Sequence, residues 1–199
     1  MRVLLAFPAL IIAACAGPQP PQTPPTYTPP PPVAESGLVV AAAEGEFPMG
    51  AGELRAFMDA NPLTEYLKPI GDIAAPVEGT VLQGNWPEEG AARRLRLEDG
   101  HYIIERILIN EPDLFKYQIW VFTNSAGHGI DQIVGEQRWI DLGPGRSRFE
   151  WDYKIKPRFF VLRPFIARMR SNTVEPYLQG AVDRMAEDID NRGLGYSAP

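Results

Sequence analysis

Few side chains in this 199-residue chain are suited to making or breaking bonds, and their spacing narrows what they could do. The two histidines, His101 and His128, are too few and too separated in sequence to suggest the clustered donors of a metal centre. The run Asn124-Ser125-Ala126-Gly127-His128-Gly129 sets a hydroxyl close to an imidazole, the pairing used in nucleophilic catalysis. It also consists largely of turn formers between two strand-like segments, so a connecting loop is the simpler reading. No Gly-rich phosphate loop and no G-x-S-x-G elbow occurs. Glu88-Glu89 precede Gly90 and read as a solvated turn. Glu150 and Asp152 share a strand face with Lys154, a pattern of surface ion pairs more than of an acid and a base. No catalytic residue, metal or cofactor is expected from these residues.

The remaining reactive group is Cys15, the single cysteine. It follows an uncharged segment that begins after Met1-Arg2 and ends Ile12-Ala13-Ala14. A basic start, a short apolar core and small residues form the layout of a secretory signal. Twelve apolar residues are fewer than the roughly 20 that span a bilayer as a helix. Ile12-Ala13-Ala14-Cys15 resembles a bacterial lipobox, in which the cysteine becomes the acylated first residue. Ala14-Cys15-Ala16 also satisfies an ordinary A-x-A cleavage site, which would discard it. A lone cysteine in an exported chain has no disulfide partner, and lipidation accounts for it. The resemblance implies a lipid-anchored protein of the bacterial cell envelope. In Gram-negative sorting, Ala16 after the cysteine implies the periplasmic side of the outer membrane.

Residues 18–32, PQPPQTPPTYTPPPP, hold nine prolines and no charge. Such a segment favours extended polyproline II, and at ~3.1 Å per residue it would reach about 45 Å as a tether. The formal net charge of −6 argues against nucleic acid as a partner, because phosphate binding needs a basic footprint. The organisation is therefore residues 1–14 signal, 15–33 lipidated cysteine and tether, 34–192 one folded domain, and 193–199 tail.

Within the domain, 37–47 reads as a strand. Leu54, Phe57 and Met58 then share one helical face, and Asn61-Pro62 stops that helix. A second short helix is expected over 63–67. Strands follow at 77–86, 93–98, 101–109, 114–123, 130–141 and 147–156, with Asp99-Gly100 as one hairpin turn. In the last strand Phe149, Trp151, Tyr153 and Ile155 face one way, and Arg148, Glu150, Asp152, Lys154 and Lys156 the other. A terminal helical stretch is interrupted near 171–176, and the capping-box pattern Asn172-Thr173-Val174-Glu175 predicts a restart there. Its apolar stripe is Val174, Leu178, Ala181, Val182, Met185 and Ile189.

This order, the pair of short helices after strand one, and the strand-to-proline ending Phe149-Glu150-Trp151-Asp152-Tyr153-Lys154-Ile155-Lys156-Pro157 resemble the START-like superfamily. That is the polyketide cyclase, SRPBCC and Bet v 1-like group. The resemblance spans about residues 37–191 and implies an α+β helix-grip fold, a curved antiparallel sheet of about seven strands wrapped on a long C-terminal helix. It further implies a sheet–helix cavity for a hydrophobic small molecule or lipid. Phe149, Trp151, Tyr153, Phe165 and Met169 are then the expected wall, joined by Tyr117 and Ile119 if Phe115, Tyr117, Ile119 and Val121 face inward. Tyr102, Arg106, Tyr117 and Tyr153 are the candidates to orient a ligand. Three functions follow: a ligand- or lipid-binding envelope lipoprotein, a polyketide cyclase-like enzyme, or a ligand-free scaffold whose aromatic stripe merely fills a core. Pro157–Pro164 encloses Arg158-Phe159-Phe160-Val161-Leu162-Arg163 and reads as a lip of the cavity, with Phe159 and Phe160 meeting anionic lipid headgroups. Buried phenylalanines, with the basic residues paired to acids at 183–190, are the alternative.

Overall fold

Alternating apolar and polar residues lay seven strands side by side in the computed structural model, which describes residues 17–195. The expected signal and Cys15 lie outside the described residues. The strands are β1 (Val39–Phe47), β2 (Pro76–Gln83), β3 (Ala92–Leu97), β4 (Tyr102–Asn110), β5 (Leu114–Phe122), β6 (Ile130–Asp141) and β7 (Ser147–Pro157). They form one antiparallel sheet in the order β1-β7-β6-β5-β4-β3-β2. Between β1 and β2 the chain crosses the sheet through α1 (Ala51–Ala60) and a 3₁₀ turn at Leu63–Glu65. The expected α+β helix-grip architecture is the one observed.

Helices α3 (Arg163–Met169) and α4 (Glu175–Asn191) close the concave face. All six residues of the anticipated stripe are buried there. Each large one contributes roughly 1.5–3 kcal/mol through loss of apolar surface from water. Close approach requires small residues on β1: Ala41 and Ala43 are buried, and a Cβ on Gly45 would lie 2.7 Å from Val182 Cγ1. The predicted capped restart is not found. A π-helical turn at Arg170–Val174 joins α3 to α4, and Glu175 donates its N–H to the Arg170 carbonyl, with no side-chain cap. Pro176 explains it: a proline inside a regular helix has no N–H to give and clashes with the carbonyl four residues back. A widened turn removes that conflict.

The convex face differs from expectation more strongly. The Pro-rich segment is laid across it instead of standing free. The carbonyls of Pro25, Pro31 and Pro32 accept from Arg94, Gln118 and Gln132 at 3.0, 3.2 and 3.0 Å, and that of Pro18 pairs with His101 Nε2 at 3.1 Å. Tyr27 packs edge-on against Trp120 at 6.1 Å, beside the buried Ala92 and Ile104. Polyproline II makes no internal hydrogen bonds, so its carbonyls are free acceptors for a sheet face rich in amide, guanidinium and imidazole donors. His101 is thus a satisfied structural residue, its Nδ1 lying 3.0 Å from the Thr123 hydroxyl.

Candidate functional site

Parity along the strands decides what the concave face presents. Residues 117 on β5, 135 on β6 and 153 on β7 stand in register across three strands. The middle one is glycine, and the ring of Tyr117 lies over it: a Cβ on Gly135 would sit 2.1 Å from Tyr117 Cζ. The rings of Tyr117 and Tyr153 meet edge-to-face at 6.2 Å, and those of Trp151 and Tyr153 at 5.3 Å. Trp151 Nε1 donates to the Tyr117 hydroxyl at 3.0 Å, which leaves the tyrosine's own proton for another acceptor. Burial, reinforced by the Glu105 carboxylate, pushes the Tyr117 hydroxyl well above its ordinary range. Burial and the neighbouring Tyr117 do the same for Tyr153. Both are neutral donors at physiological pH.

These groups stand in the wall of a cavity of about 1140 Å³ between the sheet, α1 and the α3–α4 arm. Ile119, Ile133, Ile155, Leu95 and Ile103 supply apolar wall, and Val174 and Tyr177 face them from the helical side. A charged pair also borders the space. Arg93 and Glu105 are opposite each other on β3 and β4, their Nε and Oε1 atoms are 2.7 Å apart, and the guanidinium stacks 3.8 Å from the Trp86 ring. Removing one partner would leave the other uncompensated in the cavity wall.

Of the expected wall residues, Tyr117, Ile119, Trp151, Tyr153, Phe165 and Met169 line this cavity. Phe149 shares the concave face but packs against Trp139 at 5.5 Å within the solid core. Tyr102 and Arg106 are on the opposite face. Arg106 donates to Gln118 Oε1 at 3.0 Å, and Tyr102 lies beneath Arg94, 5.5 Å from its guanidinium. Glu105 points inward, so its even-numbered neighbours point out. Val121 is turned outward too, because a bulge makes Trp120 an extra residue between the pairs Ile104–Val121 and Glu105–Ile119; Phe122 enters the cavity instead. Sequence reasoning missed Arg93, Glu105 and Gly135. The glycine in an otherwise bulky strand was the available signal.

Ser125 and His128 border the same cavity from a short helical turn, α2 (Ala126–Gly129), without a hydrogen bond between them among the described residues. The expected plain loop therefore contains one short helical turn, and just before it Asn124 Oδ1 accepts from the Ala126 N–H at 3.2 Å. Among the described residues no group of three or more His, Cys, Asp or Glu could hold a metal ion.

No protein-family model matches the chain, and no curated protein is similar to it in sequence. Solved structures are similar in shape. Ara h 8.0201 is 16% identical, with a TM-score of 0.56 over 76% of this chain and 99% of that one. A START superfamily protein from Mycobacterium smegmatis gives 15%, 0.53, 77% and 99%. The Zhui aromatase/cyclase from Streptomyces sp. R1128 gives 13%, 0.55, 80% and 99%. At such identities the likeness concerns the backbone. Seven antiparallel strands curved around a C-terminal helical arm, shared over nearly the full length of each of these structures, give this chain a helix-grip fold.

Proposed function

We propose that this protein binds an apolar small molecule or lipid between the sheet and the C-terminal arm, turning one hydrogen-bond-accepting group of the ligand toward Tyr117. The cavity volume carries this reading. Well-packed interiors keep few voids larger than a water molecule, so a space of about 1140 Å³ is not what a filled scaffold leaves. It slightly exceeds the ~300–1,000 Å³ usual for small-molecule sites. Burying about 300 Å² of ligand hydrocarbon supplies roughly 7 kcal/mol, before the cost of ordering the ligand.

Native mass spectrometry of the purified protein should show a co-purifying mass, and the fluorescent apolar probe 1-N-phenylnaphthylamine should bind. Ile133→Trp, which projects added bulk into the cavity from β6, should weaken probe binding while keeping the far-UV circular dichroism. A protein that neither carries a mass nor takes up the probe removes the proposal.

A cyclase-like activity is the second reading. It is favoured by neutral tyrosine donors beside a charged pair in one cavity, an arrangement able to polarise a ligand carbonyl. Anchoring in the cell envelope through Cys15 is proposed from the sequence. Incorporation of an alkynyl palmitate analogue in a bacterial host, lost with Cys15→Ser, is the expected outcome.

A further inference from the structure

The chain leaves β7 at Pro157, makes a 3₁₀ turn over Phe160–Leu162 and enters α3 through Pro164. Along this corner Phe159, Phe160, Val161 and Phe165 are 60, 83, 80 and 65% exposed. Among the described residues the other exposed large apolar side chains are Val40, Val77, Val81 and Leu194, all outside this stretch of the chain. Isolated exposed side chains need no explanation, whereas four within seven residues form a patch. Its inner neighbours Leu162, Ile166 and Met169 line the cavity, and Phe165 belongs to both surfaces. The patch therefore adjoins the cavity wall through Phe165.

The charges along this stretch of the chain are of one sign. Residues 153–174 carry six basic side chains and no acid, in a chain of net charge −6. Lys154 pairs with Glu136, and Arg170 with Glu175. Arg158, Arg163 and Arg168 are exposed and form no ion pair among the described residues. The acids of α4 do not reach them: Asp188 bonds Tyr66 and Arg192, and Asp183 accepts from Gln179. Arginine in the first turn of α3 opposes the helix dipole, so helix stability does not account for this placement.

We propose that this corner docks on the surface of an anionic lipid bilayer. Phe159, Phe160 and Val161 enter the headgroup–acyl boundary, and Arg158, Arg163 and Arg168 meet the lipid phosphates. An apolar tip flanked in sequence by cations matches that boundary in both chemistry and charge. No helix among the described residues is long and apolar enough to cross a membrane, so the contact is with one leaflet. Docking there sets the cavity wall at Phe165 beside the bilayer, but the surface itself does not depend on an occupied cavity.

The single native cysteine permits a local test in the full chain. Cys15→Ser with Val161→Cys is labelled with an environment-sensitive NBD fluorophore, and Val81→Cys on β2 serves as the distant control. Vesicles of phosphatidylcholine containing one-third phosphatidylglycerol should blue-shift and brighten the label at 161 and leave that at 81 unchanged. Replacing Arg158, Arg163 and Arg168 by Gln should weaken the response at least ~10-fold, since each basic residue near an anionic surface adds roughly a five-fold affinity. An unchanged spectrum at 161, or an equal response with pure phosphatidylcholine or after the arginine replacements, overturns the proposal. So does a concentration-dependent blue shift without lipid, which would mean that a second copy covers the patch. Binding of 1-N-phenylnaphthylamine by the same preparations reports the cavity separately.

Discussion

Tyr117 has a place for its ring only because residue 135 lacks a side chain. A Cβ there would lie 2.1–2.6 Å from three ring carbons, inside any permitted contact. Gly135→Ala must therefore move the ring or spread β5 from β7. A loss of about 1–3 kcal/mol in urea unfolding is expected, together with weaker probe binding. If stability and binding are both unaltered, the ring does not lie where it is described. Glu136, also on β6 but facing outward, belongs to a different network. It bonds Lys154 at 2.7 Å and also Arg138, with Lys116 at 3.6 Å. Burial pushes its pKa up, but the bonds from Lys154 and Arg138 outweigh it and hold the carboxyl at about 2 against an ordinary 4.5. A depressed carboxylate adds stability above its unfolded pKa, and that stability disappears as the pH falls through the folded value. The difference in unfolding free energy between the native chain and Glu136→Gln should thus be constant above about pH 5 and shrink toward pH 2. Asp152, raised by burial and by the Glu136 charge despite Lys154 and Arg138, acts with the opposite sign, so both chains are compared in an Asp152→Asn background.

At the scale of elements, the Pro-rich strap and the sheet solve one another's problem. Trp120, Ile104 and Ala92 would leave an apolar patch on the convex face, and the strap would leave its carbonyls to water alone. Tyr27 is the pivot of that contact, and an edge-to-face aromatic pair is worth about 0.5–1.5 kcal/mol beyond its buried area. Tyr27→Ala should lower stability by more than that amount, because the buried ring area is lost as well, and raise hydrogen exchange in β4 and β5, while α4 remains as protected as before. Equal exchange across the sheet would show that the strap contributes nothing to it. Tyr66 makes a comparable tie on the other side of the molecule. Its hydroxyl donates to Asp188 Oδ2 at 2.6 Å, fastening the connection after α1 to the last turns of α4. Partial burial, with the Asp188 bond, lifts its pKa to about 12, so the tie persists through the physiological range.

For the molecule as a whole, the arrangement separates jobs by location. The end near β1 is solid, with Phe47, Leu54, Phe149, Leu178 and Met185 almost fully buried. The middle of the sheet is hollow, and the corner at 157–165 carries apolar residues into solvent. Much of this was legible in advance. Period-two alternation in β7 and period-3.6 spacing in α4 assigned two inner faces correctly, and one greasy sheet face plus one greasy helix face can only pack together. β4 was not legible, because Ile103, Ile104 and Ile107 put apolar residues on both faces and parity could not choose. The inward ion pair of Arg93 and Glu105, and the outward Tyr102 and Arg106, follow from that ambiguity. Sequence alone determined the strands, their order and the faces of the cleanly alternating elements, since those depend on neighbours within a few residues. Only the tertiary structure decided that the strap lies down and that the interior stays open. Both depend on groups brought together from distant strands: donors on one face awaiting carbonyls, and side-chain volumes on the other that together fall short of the space they enclose.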